Sequence, residues 1–129
     1  MATYTYGSKI QDHYLHPRNV GSLDAADKHV GTAMVGTPEL GAVLKLQLHI
    51  ENARIACARF KAFGCGATIA AGSWATEWLE GKALEEAENL QGQDLVQGLE
   101  LPALKTHCAL LVEDGVRAAL NDYKAKQHS

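Results

Sequence analysis

Between Val43 and Ile50 the chain alternates strictly, with Leu44, Leu46, Leu48 and Ile50 set against Lys45, Gln47 and His49. Successive side chains of a strand point to opposite faces, so this segment predicts a strand with one face buried. Ile55 to Phe63 reads as its partner across a hairpin turn at Glu51-Asn52. Val30 to Gly36 reads as an earlier strand, preceded by the polar stretch Asp24 to His29. It ends at Thr37-Pro38-Glu39-Leu40-Gly41, a turn by its proline and glycine. After Gly66 the period changes. Ala67 to Glu80 has helical length and composition, with Gly81 placed to close it. Ala83 to Leu90 and Asp94 to Gln97 suggest short helices. From Pro102 to about Lys124, the residues Leu104, Cys108, Leu111, Val112, Gly115, Ala118 and Ala119 trace one face of a long helix. Pro102 suits the first turn of such a helix. Near the start, Thr3 to Leu15 is helical, with Ile10 and Tyr14 one turn apart. His16-Pro17 stops it, because the residue before a proline avoids the helical region. Strands come first and helices follow, which predicts the α+β class, a small antiparallel sheet covered by helices.

Composition narrows the function classes. A chain of 129 residues with 47% hydrophobic and 21% charged side chains is expected to form one globular domain, residues 1–129. Aromatic residues are only 6%, so the core must come from Leu, Val, Ile and Ala. A formal net charge of -3 lacks the concentrated basic face that nucleic-acid binding requires. Lys124, Lys126 and His128 form a basic cluster that fits a helix C-terminus complementing the dipole. No apolar run approaches the roughly 18 residues of a membrane helix. No basic-then-apolar leader is present either, so a cytoplasmic location is expected. Three scattered cysteines do not make a disulfide framework. Neither a phosphate loop nor a Ser/His/Asp arrangement appears, so nothing in the residues alone points to an enzyme.

The cysteines carry the chemistry. Cys65 stands in Phe63-Gly64-Cys65-Gly66, after the last strand and before a helix. A thiol there feels the positive end of the helix dipole, which favours the thiolate, the form that binds metal and attacks sulfur. The competing reading is a small buried cysteine at a tight strand-to-helix turn. Cys108 follows His107 and falls on the apolar face of its helix, where a free cysteine is commonly a core filler. Its neighbour points about 100° away around the helix. Cys57 lies inside the Ile55–Phe63 strand, eight residues before Cys65. At about 3.3 Å per residue that is roughly 26 Å, too far for one ion to bind both. His13, His16, His29, His49 and His128 have no partner at metal-ligand spacing and read as solvated or capping residues. Trp74 and Trp78, one turn apart, read as core.

Several stretches together carry a family resemblance. They are Tyr14 to Gly21, Val43-Leu44-Lys45-Leu46, Ala58 to Gly66, Thr76 to Lys82, Lys105-Thr106-His107-Cys108 and Ala118 to Lys124. On these the chain resembles, almost end to end, the U-type iron–sulfur cluster assembly scaffolds, the IscU proteins and the N-terminal domain of NifU. Phe-Gly-Cys-Gly with a later His-Cys is specific in this combination. The resemblance implies a three-stranded antiparallel sheet with helices packed on it and a solvent-accessible site at one end. It implies sulfur received from a cysteine desulfurase, bound iron, and a labile iron–sulfur cluster passed to apo acceptor proteins. An Hsp70-type chaperone and its J-protein partner would assist, reading the segment Leu101, Pro102, Ala103, Leu104 and Lys105. Carried over residue by residue, Cys65 is the second family cysteine, His107 the histidine, and Cys108 the third cysteine and sulfur acceptor.

The first cysteine does not carry over. Where the family reads roughly Gly-x-Pro-x-Cys-Gly-Asp, this chain has Gly36-Thr37-Pro38-Glu39-Leu40-Gly41-Ala42. Leu40 has no donor atom and Ala42 no carboxylate. The chaperone segment also departs, with Ala103 where the family has a second proline, a residue that stiffens extended backbone. Three readings follow: an atypical scaffold on Cys65, His107 and Cys108 with Glu39 as a fourth donor, a cluster-free relative that modulates the pathway, or a zinc protein on the same groups. Glu39 is a candidate only by adjacency, its plainer role being a solvated loop carboxylate.

Overall fold

The computed structural model describes residues 7–128. Its elements run α1 (Ser8–Leu15), β1 (Val30–Thr37), a 3-10 turn (Pro38–Leu40), β2 (Ala42–Glu51), β3 (Arg54–Phe63), α2 (Gly66–Leu79), α3 (Leu84–Glu88), α4 (Gly92–Leu99), a second 3-10 turn (Ala103–Lys105) and α5 (Thr106–Gln127). The strands form one antiparallel sheet in the order β1-β2-β3. The α+β expectation therefore holds. The part of the first predicted helix that falls on Thr3 to Tyr6 lies outside the described residues.

The alternation in β2 decides which face of the sheet is covered. Leu44, Leu46, Leu48 and Ile50 are all buried, joined on the same face by Ala58 and Phe60 of β3. Against this face lie α2 and α5, through Ala67, Ala70, Ala71 and Ala75 of the first and Ala109, Val112, Val116 and Ala119 of the second. Small side chains let α2 come close. A Cβ added at Gly72 would stand 2.6 Å from the Phe60 ring. The helix ends at Leu79, and Gly81 follows at φ +87°, a left-handed turn of the kind expected of a glycine there.

Some expectations need correcting. The hairpin turn sits one residue later than Glu51-Asn52. Asn52 and Ala53 take φ of 53° and 60°, the double left-handed geometry that matches strand twist in a two-residue loop. The long helix does not start at Pro102. That residue precedes the separate 3-10 turn, and α5 begins at Thr106. Leu104, placed on the buried face by periodicity, is 81% exposed. His13 is buried, not solvated, and its Nδ1 lies 2.8 Å from Ser73 Oγ. The same Ser73 oxygen accepts the Arg18 backbone N–H at 2.9 Å, so one hydroxyl ties α1 and its trailing loop to α2. Trp74 and Trp78 are half-buried against the core and stack on each other with centroids 6.4 Å apart.

Candidate functional site

β3 delivers the chain to Gly64 at one end of the sheet. Gly64 adopts φ +148°, and a Cβ there would meet the Gly41 carbonyl oxygen at 2.9 Å and Thr68 Oγ1 at 3.2 Å. This close approach seats the Leu40–Ala42 corner directly against the Cys65 turn. Cys65 is the N-cap residue of α2 and is half-buried. One turn later on the same face stands Thr68, the i, i+3 neighbour. Its hydroxyl lies 3.5 Å from Cys65 Sγ and 3.4 Å from Cys108 Sγ. Cys108 arrives on the first turn of α5 and is fully buried. His107 Nε2 is 3.6 Å from Cys108 Sγ. Adjacent residues that point different ways in mid-helix thus meet at the helix start. Lys105, on the 3-10 turn just before, directs its ammonium to Cys65 Sγ at 3.7 Å.

The two thiols are held in different states. Burial pushes the Cys65 thiol up, but the Thr68 hydroxyl, the backbone amides of Thr68 and Ala67 and the Lys105 ammonium outweigh it. Its pKa falls from 9.0 to about 7. Burial pushes the Cys108 thiol up as well, and there it prevails over the Thr68 hydroxyl, with the neighbouring Cys65 sulfur adding to the rise. Near neutral pH the site therefore pairs a readily ionised thiol with a protonated one.

Of the residues singled out in the sequence, Cys65, His107 and Cys108 come together. Leu40 and Ala42 join them as walls. With His107 and Leu111 they line an apolar cavity of ≈ 290 Å³. The corner where the resemblance would place a first cysteine is thus a hydrocarbon wall in the same cavity as the imidazole, and Leu40 is 75% exposed there. Glu39 is exposed on the adjacent 3-10 turn. Among the described residues, no three His, Cys, Asp or Glu side chains are close enough as they stand to hold an ion. Cys57 lies along β3 opposite His49, away from the site. In the segment Leu101 to Lys105, Leu101 is buried, Pro102 and Lys105 are half-buried, and Ala103 and Leu104 are exposed.

Two participants were missed in the sequence. Thr68 had a detectable signal, because a hydroxyl three residues after an N-cap cysteine shares its face. The contact between Lys105 and Cys65 had none, since it depends on the helix break before Thr106.

Comparisons with known proteins place this geometry in a family. Residues 5–129 match the model of the NifU-like N terminal domain. The "Iron-sulfur cluster assembly scaffold protein IscU" of Haemophilus influenzae is 51% identical over 95% of this chain and 98% of its own length. The "Iron-sulfur cluster assembly enzyme IscU" of Drosophila melanogaster is also 51% identical, over 95% of this chain and 80% of its own. Among solved structures, a NifU-like N-terminal protein from Brucella abortus superposes with a TM-score of 0.72 at 15% identity, covering 93% of this chain and 94% of that one. A putative iron–sulfur cluster assembly scaffold from Fervidobacterium islandicum gives 0.70 at 18% identity, over 89% and 96%. At that identity the structures speak for the fold, which agrees with the three-stranded sheet and packed helices found here. The sequence match, running nearly the whole length of the chain, decides the family: this protein belongs to the NifU-like N-terminal domain family.

Proposed function

We propose that residues 1–129 act as one iron–sulfur cluster assembly scaffold-like domain. It accepts sulfur from a cysteine desulfurase at the Cys65–Cys108 pair and holds iron or a labile cluster as cargo on an incomplete donor set. One observation carries the reading: Cys65 and Cys108 converge on the Thr68 hydroxyl with His107 beside them. This happens in a chain whose relatives are named assembly scaffolds. Two sulfurs and an imidazole are soft donors suited to iron–sulfur species and to zinc. Drawing them onto one centre requires Cys65 and His107 to close in, with Glu39 or a partner's group completing the set. Within the 101–105 segment the exposed Ala103 and Leu104 are what an Hsp70-type chaperone and its J-protein would meet, without the family's second proline. Among the described residues no helix is long and apolar enough to cross a membrane, which is compatible with work in the cytoplasm.

The test is anaerobic reconstitution with ferrous iron, cysteine and a desulfurase. A visible-absorbing, oxygen-sensitive species is expected, and Cys65→Ser and Cys108→Ser should each abolish it. A colourless product, while an intact family scaffold colours under the same conditions, removes the cluster-holding role. A second reading has its own support in the apolar wall at Leu40 and Ala42, which offers no donor. It is a cluster-free relative that binds the desulfurase and modulates the pathway. Retained desulfurase binding by a colourless protein selects it. A zinc-binding relative would instead take up zinc and need not bind the desulfurase.

A further inference from the structure

The two thiols differ in reach. Cys65 is half-buried at the start of α2, whereas Cys108 is shielded from solvent altogether. A sulfur donor approaching from outside meets Cys65 first, with the Lys105 ammonium positioned to hold the thiolate. Cys108 is nevertheless next in line, since both sulfurs touch the same oxygen of Thr68. The first-donor position has become leucine, and Cys57 lies away along β3. Sulfur placed on Cys65 therefore has one thiol neighbour, Cys108.

We propose that Cys65 is the entry thiol and Cys108 the resolving thiol of a persulfide-to-sulfide conversion, an inference that rests on the sulfur-accepting reading above. In the first step the Cys65 thiolate attacks the outer sulfur of a donor persulfide. The donor's S–S bond breaks and its inner sulfur leaves as thiolate with the electron pair, so that Cys65 carries the persulfide. In the second step Cys108 attacks Sγ of Cys65 and gives its proton to Nε2 of His107, 3.6 Å away. The bond from Cys65 to the outer sulfur breaks, and that sulfur departs as hydrosulfide with the bonding pair. One sulfane sulfur is reduced to sulfide, and the two cysteines together lose two electrons to become a Cys65–Cys108 disulfide. An external dithiol reopens the pair for another turnover.

Single-turnover sulfur transfer tests this. The reduced, metal-free protein is mixed anaerobically, without reductant, with either a charged cysteine desulfurase or glutathione persulfide. Sulfide is trapped and quantified, and samples are alkylated for peptide mass spectrometry. With glutathione persulfide the unaltered protein should release close to one sulfide per chain. A persulfide on Cys65 should appear first and the Cys65–Cys108 disulfide afterwards. Cys108→Ala should stop at the Cys65 persulfide, and Cys65→Ser should slow all sulfur uptake by at least about tenfold. Time-resolved data on the unaltered protein carry the test should the Ala variant fold poorly. Persulfide on Cys108 before Cys65, undiminished uptake by Cys65→Ser, or sulfide release without disulfide each overturns the proposal. If glutathione persulfide follows the expected course and the desulfurase does not, the conversion stands and the scaffold reading fails. If the desulfurase loads Cys108 directly, the scaffold reading stands and the conversion fails.

Discussion

One hydroxyl on α2, that of Thr68, contacts sulfur atoms from both the start of its own helix and the start of α5. Its single hydrogen can serve only one sulfur at a time, and donated to Cys65 it supports the thiolate there. The consequence is measurable. Alkylation of Cys65 by iodoacetamide should be half-maximal near pH 7, while Cys108, its thiol pushed up by burial, should react only at higher pH. Thr68→Val keeps the volume and deletes the donor, so the Cys65 midpoint should move upward with little change in fold. An unmoved midpoint would remove Thr68 from the account. His13 gives a second test of a buried group. Burial is the first cause of its lowered pKa, with the Arg18 charge adding to it. The unfolded chain therefore takes up the proton more readily. The stability that neutral His13 contributes is full above the unfolded value of 6.5 and is lost as pH falls towards the lower folded value. Urea midpoints at mildly acid and neutral pH should differ in that direction, and the difference should shrink in His13→Gln.

At the scale of elements, the docking of α2 on β3 depends on the missing side chain at Gly72, where the Phe60 ring fills the space. Gly72→Ala should destabilise the protein by about 1–3 kcal/mol through overpacking, read as a lowered denaturant midpoint with unchanged m-value. The strands were legible because β2 alternates from Leu44 to Ile50, and its burial follows that alternation except at Gln47, which is buried by its hydrogen bonds to Leu23 and Thr32. The start of α5 was not. Pro102 fits before a 3-10 turn as well as in a first α-helical turn, and Leu104 continues the apolar period by accident of spacing. Only the Lys105 backbone, at φ -112° and ψ 9°, marks the break. The site was half-legible for a similar reason. Cys65 could be placed at a helix start from local residues alone, but it meets Cys108 through Thr68, which lies 40 positions before Cys108 in the chain. The burial of His13 was hidden in the same way, because its partner Ser73 lies 60 residues on.

For the molecule as a whole, the Leu40–Ala42 corner decides what the end of the sheet can hold. Gly64 fixes that corner against the Cys65 turn, so donors placed there would share the apolar cavity with His107. Leu40→Cys combined with Ala42→Asp should lengthen the lifetime of a reconstituted cluster several-fold, followed by loss of visible absorbance under a chelator. No gain would mean that the limiting defect lies elsewhere. The far end of the molecule sets a different constraint. In α5, Asp122 accepts the Thr32 N–H at 2.8 Å, and Lys126 donates to the carbonyls of Ala25 and Val30 at 2.7 Å. The edge strand β1 and the loop leading into it are thus clasped by residues some 90 to 101 positions later in the chain. Contacts of such separation form late, because loop closure must precede them. A nascent chain emerging from the ribosome can zip β2 to β3 early, but it waits for its last helical turns before the outer strand is secured. Protease protection of β1 during synthesis should therefore arrive with Lys126 rather than with the sheet.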